Sequence, residues 1–273
     1  MKTTKLRWVI VTLVAIATVI NYIDRGALAV MWPAISEDLG LTKDDYAIII
    51  NVFILAYAFG QSLFGKIMDW IGVRLGFVLA IGIWSLATVL HAFANSLLTF
   101  SIFRGLLGVA EAGNWPGATK ANAVWFPIKE RAFAQGIFNS GAAIGGIVSA
   151  PIVGLLFVFL DSWQATFIVI GVLGLLWLIP WLIVYKSGPD THPWLGEEER
   201  QYILTGQRNA ETHQAAEYAP TTREILSRKE SWGVILASFF LDPIWWLFVS
   251  WLPLYLNETY GFGVVEIASY AAV

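Results

Sequence analysis

Gly65-Lys66-Ile67-Met68-Asp69-Trp70-Ile71-Gly72-Val73-Arg74 crowds three charges between two apolar runs, residues 46–66 and 75–94. Each run has about the 20 mostly apolar residues that a helix needs to cross a hydrocarbon core. Gly72 supplies the backbone freedom of a tight turn, and Gly65 leaves room for a close helix approach. The charges here can pair in one state of the protein. The stretch reads as a short polar loop joining two membrane spans.

The same reading extends outward. Further apolar runs cover about 8–35, 97–120, 132–160, 163–185 and 231–256, and an eighth begins near Val264. The chain is 57% hydrophobic and 14% charged, where a soluble domain carries about 25% charged residues. Fourteen tryptophans suit membrane–water interfaces. Cysteine is absent, which excludes disulfides and thiolate metal sites. His91, His192 and His213 are scattered, without metal-ligand spacing, and read as loop or span-end residues. Gly60 and Gly65-Lys66 nearly spell a phosphate-binding loop. Ile67 stands where Ser or Thr is needed, and the segment is an apolar span, so nucleotide binding is rejected. No cofactor, metal or nucleic acid is expected.

Every Lys and Arg outside the spans, except Lys43, falls on one side of this pattern. That excess marks the cytoplasm, so the N-terminus, from Lys2 onward, and the long polar stretch 186–229 are read as cytoplasmic. Glu197-Glu198-Glu199-Arg200 in that stretch reads as a short surface helix, and Thr221-Thr222-Arg223-Glu224 leads into the seventh span. A signal peptide is weighed on Lys2 to Arg7 and Ala27-Leu28-Ala29. Asn21 to Arg25 puts polar and charged residues just before that box, so removal is not expected. The expected organisation is 1–185, a six-span half; 186–229, a central loop; and 230–273, span seven with the start of span eight. Because the last residues stop inside an apolar segment, the chain is read as part of a larger transporter, unable to transport alone.

Four charges lie inside apolar runs: Asp24 and Arg25 in the first span, Arg104 and Glu111 in the fourth. An ionised group at bilayer depth costs several kcal/mol unless it faces a cavity or a partner. These residues point to a polar pathway and to transport of an anion. Arg25 is always ionised, and its planar fork fits a carboxylate. Arg104 and Glu111 share a helix face about 10 Å apart along the axis. A membrane enzyme would need a convergent nucleophile–base or metal set; these four charges do not make one, so no enzymatic activity is expected.

The loop 65–74 matches the G-x-x-x-D-x-x-G-x-R signature of the major facilitator superfamily at Gly65, Asp69, Gly72 and Arg74, in the position expected for a conformational loop. Asn21-Tyr22-x-Asp24-Arg25 resembles the N-Y-x-D-R of its anion:cation symporters. Arg104 to Glu111, Trp125-Phe126-Pro127 and Glu130-Arg131 resemble that family's fourth span and following loop. Ser162-Trp163-Gln164, Tyr185-Lys186, His192-Pro193, Glu198-Glu199-Arg200-x-Tyr202-Ile203 and Asp242-Pro243-Ile244-Trp245-Trp246 are similar to bacterial hexuronate transporters.

The resemblance implies an all-α integral membrane fold. This chain supplies the N-terminal six-helix half, helix seven and the start of helix eight. It implies proton-coupled symport of a sugar-acid anion, such as galacturonate or glucuronate, by a monomer in the bacterial inner membrane. Another organic anion (an aldonate, a dicarboxylate or a vitamin carboxylate) stands as the alternative. Arg25 is implied to hold the substrate carboxylate, and Asp24 and Glu111 to couple protons. Arg104 is read as a gate or a relay to Glu111. Tyr22, Tyr57, Gln61, Trp115, Asn139, Ser140 and Trp246 are read as substrate lining. Span seven has no Lys or Arg, which favours a monoanion held mainly by Arg25.

Overall fold

A computed structural model describes residues 5–211 and 221–270. Lys2 and His213 lie outside the described residues. In chain order the helices are α1 (Leu6–Leu39), α2 (Lys43–His91), α3 (Leu97–Glu111), α4 (Asn114–Trp125) and α5 (Ile128–Leu160). They continue as α6 (Trp163–Val184), α7 (Glu197–Glu211), α8 (Thr222–Ser227), α9 (Lys229–Tyr260) and α10 (Val264–Tyr270). By length and apolarity α1, α2, α5, α6 and α9 can each cross a membrane.

The 49 residues of α2 would reach about 73 Å as one helix, more than twice a hydrocarbon core of about 30 Å. Gly72 resolves this. Its φ of 80° and ψ of 167° lie outside any helix, in a region open essentially to glycine alone. The two expected spans therefore meet at the expected residue. Gly65 behaves differently from expectation: a Cβ there would meet nothing within 4 Å. The close approach between this segment and the next helix falls at Gly60, where a Cβ would lie 2.5 Å from the Val109 carbonyl oxygen.

The fourth span is interrupted. α3 ends at Glu111 and α4 starts at Asn114, although Ala112 and Gly113 keep right-handed backbone angles. Pro116 explains the break, since it has no N–H to give the Ala112 carbonyl. Gly113 N–H turns instead to Ala110 O at 3.1 Å, a tightened turn.

Helix α1 packs on α5 and α6, and α2 packs on α3 and α6. Two apolar cores result. One, toward the end rich in Lys and Arg, gathers Phe77, Trp84, Trp125, Trp177 and Trp181; the other gathers Trp32, Tyr46, Phe100, Trp163 and Phe167. His91 closes α2 inside the second core, with Nδ1 2.7 Å from Ala87 O and its ring stacked on Phe167. His192, after α6, is held by Val184 O at 2.9 Å.

The described part of the central stretch is more than a short surface helix. α7 runs 15 residues and docks on the start of α1. Lys5, at the α1 N-cap, offers no side-chain acceptor. Glu199 serves instead, accepting from the N–H groups of Leu6 at 3.1 Å and Arg7 at 3.4 Å. Its Oε1 also receives Arg7 Nη1 at 2.7 Å, while Arg7 Nε reaches Glu130 at 2.9 Å. Tyr202 OH donates to the same Glu130 at 2.9 Å. Thr221 and Glu224 form a capping box on α8 rather than on span seven itself, and extended backbone at Arg228 separates the two.

Candidate functional site

Arg25 is 8% exposed at mid-length of α1, and Glu111 is fully buried at the last turn of α3. The guanidinium donates to one carboxylate oxygen, Oε2, from Nε at 3.2 Å and Nη2 at 3.1 Å. Nη2 also donates to Asn21 Oδ1, one turn earlier, at 3.2 Å. Glu111 Oε1 has no partner.

Four aromatic rings enclose the cation. Its Cζ lies 5.0 Å from the Tyr22 centroid, 4.9 Å from Tyr57, 4.9 Å from Trp246 and 5.7 Å from Phe53. Ring faces attract a cation by about 0.5–2 kcal/mol each, more where water is excluded. Such a cage lets Arg25 persist with a single partial carboxylate contact. Three helices build it: α1 gives Tyr22, α2 gives Phe53 and Tyr57, and α9 gives Trp246.

The second pair of charges is arranged differently. Asp24 is fully buried, and neither carboxylate oxygen has a hydrogen-bond partner. Thr88 lies beside it, but its hydroxyl proton goes to Trp84 O at 3.1 Å. Arg104 is 1% exposed, with Nε and Nη2 unpartnered and its Cζ 5.6 Å from the Phe53 centroid. Asp24 and Arg104 feel each other's field without forming an ion pair among the described residues. Leaving an ionised group buried and unpaired is costly, so this half of the site is electrostatically unresolved.

Tyr22, Arg25, Tyr57, Glu111 and Trp246 thus meet at one point. The other expected lining residues do not join them. Gln61 and Trp115 border an open groove with Asp69 and Lys120. Trp115 packs its edge on Phe138, 4.9 Å between centroids. Asn139 accepts from Gln135 at 3.2 Å, and Ser140 donates to Ile137 O at 2.7 Å; both are exposed. In the 65–74 loop, Asp69 pairs with Lys120 at 2.7 Å, and Arg74 reaches Leu182 O at 3.3 Å.

Phe53 and Asn114 have no role in the sequence reading, and Asn21 enters it only as a member of the N-Y-x-D-R motif. Asn21 and Arg25 are one turn apart, a spacing that could have flagged the contact. Asn114 donates to Thr18 at 3.0 Å, tying the broken fourth span to α1. Phe53 has no signal in a single sequence, since it looks like any lipid-facing phenylalanine.

The two ends of the molecule differ. Near Lys43, α2 and α9 are joined by Lys43–Glu258 at 2.5 Å and by a hydrogen bond from Tyr46 OH to Ser250 O. Trp251 packs on Tyr46 there, 5.4 Å between centroids. Toward the Lys/Arg-rich end, Gln61, Asn139, Ser140 and the first half of α9 are exposed.

The family description "Major Facilitator Superfamily" matches residues 14–273. The chain is 37% identical over 267 residues to the galacturonate transporter of Dickeya chrysanthemi, covering 97% of this chain and 76% of that protein. It is 35% identical over 266 residues to the hexuronate transporter of Escherichia coli K12, covering 97% of this chain and 61% of that one. A probable sulfoacetate transporter of Cupriavidus necator is also 35% identical, with 98% and 61% covered. Among solved structures, a bacterial homologue of the human lysosomal transporter Spinster superposes with a TM-score of 0.76 at 20% identity, over 99% of this chain and 60% of that one. That likeness concerns the fold alone.

Proposed function

The chain belongs to the major facilitator superfamily, and from that premise we propose that it serves proton-coupled uptake of a sugar-acid anion, most specifically a hexuronate such as galacturonate. The observation that carries this reading is the caged Arg25, bound to Glu111 through one oxygen. An entering carboxylate competes with Glu111 for the guanidinium fork. Once displaced, Glu111 is a buried carboxylate without its cation, a situation relieved by taking up a proton. Substrate and proton then bind together, which is the requirement of symport. The unpartnered Asp24 is the second proton carrier, and Arg104 is the mobile cation that answers its charge.

Alternating access rocks the two halves of such a fold about a central site. The joined end near Lys43 fits a chain closed toward the outside. The Lys/Arg-rich end then faces the cytoplasm, in keeping with the charge distribution across a bacterial inner membrane. The Asp69–Lys120 pair at that end is suited to break and re-form as the halves move. The protein is read as acting as a monomer.

A second reading, transport of a different small organic anion, draws on the equal identity to a probable sulfoacetate transporter. Uptake of labelled galacturonate into vesicles separates them, with this sequence carried in a full-length transporter and measured with and without an imposed inward proton gradient. Gradient-driven accumulation that disappears in Arg25→Ala supports the hexuronate symporter. Uptake of sulfoacetate that unlabelled galacturonate does not compete with would overturn the substrate assignment.

A further inference from the structure

Tyr22 has two neighbours of different kind. Its ring carries the Arg25 guanidinium, and it also lines a separate cavity of about 410 Å³. Gly26 of α1, Gly146 and Ser149 of α5, and Trp245 and Val249 of α9 share that cavity. Trp245 meets Tyr22 edge to face, 6.4 Å between centroids. The lining is mostly apolar and aromatic, with Ser149 as a buried hydroxyl.

Ser149 belongs, with Ser85 and Ser101, to the few buried hydroxyls of this bundle that have no partner among the described residues. Thr12, Thr18, Thr88, Ser140 and Thr166 all donate back to a carbonyl three or four residues earlier. That is the ordinary way for a helix in an apolar medium to satisfy a hydroxyl. Ser149 is 5% exposed, and its Oγ has no partner. A Cβ on Gly26 would lie 2.2 Å from this Oγ. The bare glycine therefore leaves the hydroxyl its present position at the cavity wall. Ser85 offers an internal comparison. Its Oγ is also unpartnered and sits against a glycine, Gly174, at the same 2.2 Å, but it does not line this cavity.

A pyranose ring has apolar C–H faces and a rim of hydroxyls. An aromatic wall with one unsatisfied hydroxyl matches that chemistry, because a buried polar group gains when a ligand supplies its missing partner. We propose that Ser149, seated against Gly26, hydrogen-bonds a ring hydroxyl of the substrate whose carboxylate Arg25 holds, so that this cavity selects the hydroxylated end of the sugar acid. The inference rests on the sugar-acid reading of the Arg25 site.

Equilibrium binding of labelled galacturonate to the chain in lipid nanodiscs tests it, with unlabelled cyclohexanecarboxylate as a hydroxyl-free competitor of similar ring size and charge. Ser149→Ala is expected to weaken galacturonate about three- to tenfold, the range of one hydrogen bond. Competition by cyclohexanecarboxylate stays unchanged and the thermal midpoint does not fall, since the lost hydroxyl has no partner in the free chain, and Ser85→Ala leaves both affinities as they are. Unaltered galacturonate affinity in Ser149→Ala, or a parallel loss for both ligands, overturns the inference while leaving the substrate reading intact. A wild-type chain that binds no galacturonate removes both.

Discussion

Arg25 and Glu111, 86 residues apart, pair through a single carboxylate oxygen, with both guanidinium contacts on Oε2 and none on Oε1. A fork-to-fork arrangement would use both oxygens and be stronger. The observed geometry holds the cation in place while leaving it open to a better-matched carboxylate.

The first expectation concerns that competition. In Glu111→Gln the side chain keeps an acceptor oxygen but loses its charge. Anion binding at Arg25 should then lose the part of its pH dependence that Glu111 carries, whereas wild-type binding strengthens more steeply as pH falls, because binding takes up a proton at Glu111. Galacturonate titrations across the acid-to-neutral range read this directly. A Glu111→Gln protein with the wild-type pH slope would refute Glu111 as the coupled group.

Arg25→Lys preserves a charge but not the planar fork or its stacking against four rings. The loss of charge-assisted contacts amounts to about 1.5–3 kcal/mol. Affinity for the anion should fall about ten- to a hundredfold in a binding assay. A Lys variant within about threefold of wild type would show that a point charge suffices.

The clamp at the Lys/Arg-rich end makes a separate prediction. Glu199→Ala removes the carboxylate that caps α1 and pairs with Arg7. Caps of this kind contribute about 0.5–2 kcal/mol, and the lost charge near the helix N-terminus adds a further few tenths. Amide hydrogen exchange should accelerate in the first turn of α1 and along α7, with the interior of α5 unaffected. Unchanged protection in the first turn would mean that the contact does not restrain it.

Gly141 and Gly136 lie on the same helix and should respond in opposite ways. A Cβ at Gly141 would sit 2.5 Å from the Ala15 carbonyl oxygen, so Gly141→Ala forces α1 and α5 apart. The expected cost is about 1–3 kcal/mol. At Gly136 nothing lies within 4 Å, so Gly136→Ala should be neutral or stabilise by up to about 1 kcal/mol. Thermal unfolding in one detergent compares them.

The spans, the break at Gly72 and the buried charges were legible because each is written locally, as a run of apolar residues, a glycine at a turn, or an ion where none is comfortable. The cage was not. Tyr22, Tyr57 and Trp246 read as substrate lining, but nothing local says that their rings wall in the Arg25 cation, and Phe53 carries no mark that separates such a wall from a lipid-facing surface. Helical spacing puts Tyr57 and Gln61 on one face, yet it could not say that the Arg25 contact stops at Tyr57. Pro116 did carry a local signal for the interrupted fourth span. The apolar run through 97–120 hid it, since membrane helices often accommodate proline without a break.

The cap that Glu199 places on α1 also has a meaning in time. The acceptor for the Leu6 N–H lies 193 residues further along the chain. At about 5–20 residues per second of synthesis, α1 waits roughly ten to forty seconds between emerging from the ribosome and receiving its cap. During that interval its first turn has no partner from α7. The start of α1 is therefore fixed only after α6 has been made, and the arrival of α7 marks that moment.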